Sequence, residues 1–293
     1  MLLFLLLLLG LTALGGLLLF LNGWAERRLL RPDARYPRPP LPPAAPGTAR
    51  LVCAGDSLTH GNLSAPYVPA VAARLAPRGV MVFNAGINAD LAETLLARFD
   101  DVVAARPDFV AILVGSNDVN ATLSPADLRQ YRRRRKLCAP EPPSAATFRR
   151  HLTALLHRLR HETTARVALL SLPPMGENLA HEANRRAEAY SAIIREVAAA
   201  EGAAYLPLRE RLMAELRAYP GQPCVHFGQT TRLIRTAVLR HYVLGQSWDR
   251  IAAAHGHRFL TDNLHLNTAA AAIVADLVVG WVEQELPAPA GSA

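Results

Sequence analysis

Lysine is nearly missing from this chain of 293 residues: of its 32 basic side chains only Lys136 is a lysine, and the others are arginine. The accompanying excess of Arg, Ala and Pro is that of a G+C-rich genome, so the net charge of +8 carries little weight as a sign of a nucleic-acid partner. No RNA- or DNA-binding motif accompanies that charge, and no nucleic acid is expected as a partner. Cysteine is scarce as well. Cys53, Cys138 and Cys224 are scattered and odd in number, which excludes a full set of disulfides and any cysteine-based zinc spacing. Charged side chains are absent before Glu26.

That charge-free stretch is almost unbroken apolar sequence over residues 1–21. About 20 apolar residues suffice for a transmembrane helix. The rival is a secretory signal peptide, whose apolar region is about 7–15 residues behind a basic start. This segment is longer, has no basic residue ahead of it, and offers only Gly23-Trp24-Ala25 as a poor cleavage site. An uncleaved single-pass anchor over 1–24 is the expectation. Trp24 then lies in the interfacial belt, and Arg27, Arg28 and Arg31 behind it place the following chain on the cytoplasmic side. Residues 25–49 form an Arg- and Pro-rich linker, with Pro37, Pro39, Pro40, Pro42, Pro43 and Pro46 favouring an extended, semi-rigid stalk or plain disorder.

Residues 50–286 read as one domain, followed by a tail over 287–293. Apolar runs at 51–54, 80–83, 109–114, 167–171 and 203–207 are strand candidates. Between the third and fourth, Leu152, Leu155, Leu156 and Leu159 recur at helical spacing, as do Tyr190, Ile193, Ile194 and Val197 between the fourth and fifth. Strands alternating with helices predict an α/β fold: a three-layer flavodoxin-like sandwich on a five-stranded, mostly parallel sheet. In such sheets the site lies at the carboxyl ends of the strands.

Four short blocks fall at those ends or near the C-terminus: Gly55-Asp56-Ser57-Leu58, Asn84-Ala85-Gly86, Gly115-Ser116-Asn117-Asp118 and Asp262-Asn263-Leu264-His265. Each has a plain alternative. Ser57 could be a helix N-cap, Asp56 reads as a turn residue, and Asp262 with His265 could be a solvated loop pair. Together they offer what serine-based ester cleavage needs: a nucleophile, a base, a carboxylate to orient the base, and donors for an oxyanion. The Gly-x-Ser-x-Gly elbow of the α/β-hydrolases is absent, since Leu58 and Thr59 follow Ser57.

In order and placement the blocks resemble the SGNH (GDSL) hydrolases, a superfamily of esterases and lipases, from about Arg50 to the helix after His265. The resemblance implies Ser57 as nucleophile, His265 as general base then acid, and Asp262 as its orienting carboxylate. It also implies an oxyanion hole made of the Ser57 N–H, the second block and the Asn117 carboxamide. One position departs. The family usually carries glycine five residues after the asparagine that opens the second block, and here that position is Ala89. Its N–H persists, but a conformation open only to glycine would strain alanine. Gly86 then serves the turn, and Asn88 is a candidate for substrate contact.

Two segments stand outside this frame. The run Arg132-Arg133-Arg134-Arg135-Lys136 is a solvated loop or a contact for anionic lipid headgroups. The stretch 219–256 contains a helix with Leu233, Ile234, Ala237, Val238 and Tyr242 on one face, as a packing element or a wall over the site. His255 and His257 read as a helix C-terminal cap and not as a metal site. The resulting expectation is a membrane-anchored serine esterase that cleaves a carboxylic ester or thioester, of a lipid or an acylated sugar, through an acyl-enzyme. No cofactor or metal enters, and the partners are an acyl-ester substrate and membrane lipid. The alternatives are an acyltransferase of the same fold and a non-catalytic lipid- or glycan-binding module.

Overall fold

A computed structural model describes residues 29, 31–38, 40, 41, 45, 47–137, 139–219, 221 and 223–286. The chain divides into two units, Met1–Pro32 and Asp33–Ala293. The expected anchor over 1–24 lies outside the described residues, and among the described ones no helix is long and apolar enough to cross a membrane.

The second unit is built on five strands: β1 (Ala49–Gly55), β2 (Val80–Gly86), β3 (Phe109–Leu113), β4 (Arg166–Leu170) and β5 (Ala204–Leu206). All neighbouring pairs are parallel, in the order β2-β1-β3-β4-β5. That is the flavodoxin-like order, whose switch point lies between β1 and β3. The helices are α1 (Ser57–His60), α2 (Val68–Leu75), α3 (Ala92–Ala97), α4 (Asp100–Ala104), α5 (Ser116–Leu123), α6 (Pro125–Arg133), α7 (Ala145–Glu162), α8 (Glu182–Glu201), α9 (Leu208–Ala218), α10 (Thr230–Tyr242), α11 (Trp248–Ala254) and α12 (Thr268–Glu285).

Side chains alternate across a strand, and β1 uses both faces. Leu51 and Cys53 join one apolar cluster with Val71 of α2, Leu212 of α9 and Val274 and Val278 of α12. Val52 and Ala54 join the other with Leu95 of α3, Val102 of α4, Leu152 and Leu155 of α7, and Ile194 and Val197 of α8. The sheet is thus covered on both faces, as a run of apolar residues without alternation requires. α7 begins with a reciprocal cap in which Ser144 Oγ accepts the Thr147 N–H and Thr147 Oγ1 accepts the Ser144 N–H.

The expected linker is not a free stalk throughout. Its Asp33–Tyr36 portion folds onto the domain: the Asn84 N–H donates to the Arg35 carbonyl at 3.0 Å, and the Tyr36 hydroxyl donates to Asp101 Oδ2 at 2.7 Å. Tyr36 and Leu41 also pack against the second cluster, which is why apolar side chains recur in that proline-rich stretch.

Candidate active site

β1 ends on Gly55, and the chain turns at once into α1. Asp56 caps that helix, its Oδ1 accepting the Leu58 N–H at 2.9 Å. Ser57 is therefore the first residue of the helix and not its cap, and its hydroxyl lies 3.0 Å from His265 Nε2. His265 arrives from the far end of the chain, in the loop before α12. Its Nδ1 sits 2.8 Å from Asp262 Oδ2, while Asp262 Oδ1 accepts the N–H groups of Leu264 at 2.6 Å and His265 at 2.9 Å. A carboxylate can only accept, so the neutral ring carries its proton on Nδ1 and presents Nε2 to Ser57.

The three groups are almost closed to solvent, at 7% exposure for Ser57, 1% for Asp262 and 3% for His265. Burial alone would raise the Asp262 carboxyl; the facing imidazole and the hydrogen bonds it accepts outweigh burial and hold it below the ordinary carboxylate value. Burial alone would depress His265, and the Asp262 charge with its hydrogen bond, helped by Asp56, raises it above 6.5 instead. The imidazolium is favoured by this setting, as a group that must take up a proton from Ser57 requires.

Asn117 enters from the end of β3. Gly115 turns the chain at φ +130°, where a Cβ would also stand 2.9 Å from the Phe148 ring, and α5 starts at Ser116. Asn117 Nδ2 donates to the Asp90 carbonyl at 3.0 Å and to Asp56 Oδ2 at 3.2 Å, and Asn117 Oδ1 accepts from the Tyr131 hydroxyl at 2.7 Å. The expected oxyanion donor is thus engaged at both hydrogens, and an oxyanion would have to share one of them.

The second block packs tightly under α1. A Cβ on Gly86 would lie 2.2 Å from the His60 nitrogen, so only glycine fits, and Asn84 Oδ1 accepts the Gly86 N–H at 3.0 Å. Ala89 holds φ at +62°, the left-handed conformation that suits glycine. Alanine thus stands here in a conformation that glycine adopts without strain. Asn88 Nδ2 donates to Asn62 Oδ1 at 2.9 Å, linking this block to the segment after Ser57.

Acidic groups gather beneath. Burial pushes Asp56 and Asp118 up to about 7. Asp90, only 1% exposed, is paired with Arg98 Nε and Lys136 Nζ, each at 2.6 Å. Arg98 also donates to the carbonyls of Gly55 at 3.1 Å and Ala85 at 2.9 Å, stitching together the ends of β1 and β2. The basic run is therefore not one solvated loop: Arg132 to Arg135 are exposed, but Lys136 folds back onto Asp90, drawn by a buried carboxylate.

Sequence reasoning missed Glu177, in the loop after β4. Only 8% exposed, it accepts three successive backbone N–H groups, from Arg258 at 2.6 Å, Phe259 at 2.7 Å and Leu260 at 2.9 Å. It braces the loop that leads to Asp262 and His265. A single glutamate among prolines at a strand's carboxyl end was its sole signal. His255 does cap α11 through its backbone, as expected, while its Nδ1 meets the Thr261 carbonyl at 2.8 Å and His257 Nδ1 meets the Leu260 carbonyl at 3.0 Å. Both rings hold the same loop. Among the described residues no group of three or more potential ligands could hold a metal.

α10 is fixed at one end to the loop that carries His265 and at the other to the segment that follows α1. Asn263 Nδ2 donates to Thr230 Oγ1 at 3.0 Å, and the Tyr242 hydroxyl donates to the Asn62 carbonyl at 2.7 Å. Leu233 and Ala237 face inward, so the helix packs on the core and also flanks the site.

The profile of the GDSL-like lipase/acylhydrolase family matches residues 53–273. No curated protein matches the chain in sequence. Among solved structures the fold is similar to that of an acetylxylan esterase from Geobacillus stearothermophilus, at 18% identity and TM-score 0.55, covering 80% of this chain and 94% of that one. It is also similar to an α/β hydrolase enzyme from the metagenome of Lake Arreo, at 20% identity and TM-score 0.57, covering 82% and 98%. A further acetyl xylan esterase is 22% identical at TM-score 0.56, covering 80% and 99%. With a profile match over most of its sequence, this chain belongs to the GDSL-like lipase/acylhydrolase family of ester-cleaving enzymes.

Proposed function

We propose that the chain is a serine esterase that cleaves a carboxylic ester or thioester through an acyl-enzyme, with Ser57, His265 and Asp262 as its catalytic residues. The observation that carries this reading is the unbroken contact from Ser57 Oγ to His265 Nε2 at 3.0 Å and from His265 Nδ1 to Asp262 at 2.8 Å. Ser57 Oγ attacks the acyl carbon as its proton passes to Nε2. The resulting oxyanion is met by the N–H groups of Ser57 and Ala89 and by the Asn117 amide. The imidazolium then protonates the leaving alcohol or thiol, and the C–O or C–S bond breaks. Water repeats the sequence on the acyl-enzyme, His265 taking its proton and returning it to Ser57. No cofactor enters these steps.

An O-acylated sugar with a short acyl group is the substrate class we favour. Its support is the closed setting of Ser57, 7% exposed, and the acetylxylan esterases among proteins of this fold. The apolar residues 1–21 support membrane anchoring by a single helix.

A fluorophosphonate probe should label the wild type and not Ser57→Ala, with hydrolysis of p-nitrophenyl esters lost in the same variant. A Ser57→Ala enzyme that still turns over would overturn the assignment. Turnover that rises from acetyl to octanoyl esters would move the substrate class from short-acyl sugar to lipid. For the anchor, full-length protein should stay with membranes through a carbonate wash, and recovery of a soluble form beginning near Glu26 would overturn it.

A further inference from the structure

The segment that follows Asn117 contains the chain's sole lysine and a buried tyrosine, and neither has a place in the steps above. Tyr131, on α6, is 5% exposed. Asn120 Nδ2 donates to its hydroxyl oxygen at 3.1 Å, leaving the single hydroxyl proton for Asn117 Oδ1 at 2.7 Å. A carboxamide fits its pocket in two orientations half a turn apart, and only one presents N–H to the site. A donor seated on Oδ1 selects that orientation. Asp56 and the Asp90 carbonyl select the same one from the other side.

Lys136 lies just beyond the end of α6. Its ammonium binds Asp90 Oδ1 while Arg98 binds Oδ2, both at 2.6 Å. Asp90 supplies the carbonyl that receives the Asn117 amide, and it directly follows Ala89 in its left-handed conformation. The ion pair therefore holds the residue that joins both oxyanion donors.

We propose that Tyr131 and Lys136 are positioning residues for the oxyanion hole: Tyr131 fixes which way the Asn117 carboxamide faces, and Lys136 anchors Asp90, whose carbonyl receives the Asn117 amide and whose backbone adjoins Ala89. This rests on the reading that Asn117 and Ala89 meet the oxyanion. It explains why one basic residue of five in the run 132–136 turns inward while its neighbours stay exposed.

The test uses the full-length protein and p-nitrophenyl acetate. Asn117→Ala should lower kcat by roughly 10²–10³, the usual loss for one donor. Tyr131→Phe and Lys136→Met should each lower kcat about tenfold, a fraction of that loss because other contacts remain, with KM changed less than about twofold. Lys136→Arg, which keeps a cation on Asp90, should restore most of the rate. In an Asn117→Ala background, Tyr131→Phe should cause no further loss, because the group it orients is gone. If Asn117→Ala is slow while Tyr131→Phe and Lys136→Met keep wild-type kcat, the positioning role is overturned and the active-site reading stands. Equal losses from Tyr131→Phe with and without Asn117 would also overturn it, since they mark a general structural contribution. Wild-type kcat in Asn117→Ala would instead overturn the oxyanion reading beneath it. Should Lys136→Met fail to fold, the Tyr131→Phe cycle with Asn117→Ala decides.

Discussion

Replacing Ala89 by glycine and by valine should move stability in opposite directions. At φ +62° an L-residue with a Cβ is strained by about 1–2 kcal/mol, and Ala89→Gly removes that strain. Two terms oppose the gain. Glycine frees the unfolded chain by about 0.4–1 kcal/mol. The lost methyl packs half-buried with Leu91, Ala121 and Tyr131, which costs about 0.4 kcal/mol at half the value of a buried CH₂. At midpoints the relief wins by about 0.4 kcal/mol, which raises Tm by roughly 1–2 °C in a domain of this size. The N–H stays where it was, so kcat should hold within about threefold. A β-branched side chain is a true outlier at such a φ. Ala89→Val should either lower Tm by several degrees or let the loop relax to negative φ, turning the N–H away and cutting kcat by roughly 10²–10³. Thermal melts beside steady-state kinetics on p-nitrophenyl acetate read both quantities. A tenfold slower Ala89→Gly enzyme with unchanged Tm would refute the carry-over of the family geometry, and an Ala89→Val enzyme that keeps both its Tm and its kcat would refute the strained conformation.

Because Asp262 raises His265 above 6.5, the acid limb of kcat/KM should fall above that pH, and it should move to lower pH in Asp262→Asn along with a loss of rate; a wild-type limb below 6.5 would contradict the pairing. Stability should rise on acidification from pH 8 toward 5. Asp56 and Asp118 are raised from 3.8 to about 7, so the folded state takes up protons in that window that the unfolded state does not, worth on the order of 3 kcal/mol across it for one such group. His265, also raised, acts in the same sense, with its contribution complete below about 6.5 and lost as pH rises through its folded value. Asp262 is lowered and opposes them only at more acid pH, its contribution being lost as pH falls through its folded value. Melting curves from pH 4 to 8 should show the rise, and Asp118→Asn should flatten it; a Tm that climbs toward pH 8 would refute the sign. Glu177→Ala strands three backbone N–H groups at about 1–3 kcal/mol each, so it should lower Tm by many degrees and slow turnover through the His265 loop, and an unaltered melt would remove that brace.

The sheet was legible because fully apolar runs bounded by helical repeats leave few other arrangements. Val80–Gly86 and Arg166–Leu170 differ from the sequence reading only at their ends, where pairing continues past the apolar residues. The chemical groups were legible because their types are rare in combination, and Ala89 was legible as a point of strain before its φ was known. What supports those groups was not. Glu177, Tyr131 and Lys136 each meet their partners from 11 to 83 residues away, through contacts to backbone or to single atoms that leave no period in the sequence. The partnering of Asn117 was hidden for the same reason, since Asp56 and Asp90 come from other strand ends.

The two outer strands meet the problem of open backbone differently. β5 is only three residues long and presents little to an incoming chain, whereas β2 is a seven-residue border strand. Its Asn84 N–H is taken by the Arg35 carbonyl, so the short segment from Asp33 to Tyr36 lies along that border as a sleeve. Bare strands of this length template cross-chain pairing and aggregation. Expression fragments that begin at Arg50 would strip the sleeve, and those that begin before Asp33 would keep it. A start at Arg50 should therefore favour self-association through β2, which size-exclusion chromatography of the two fragments would read.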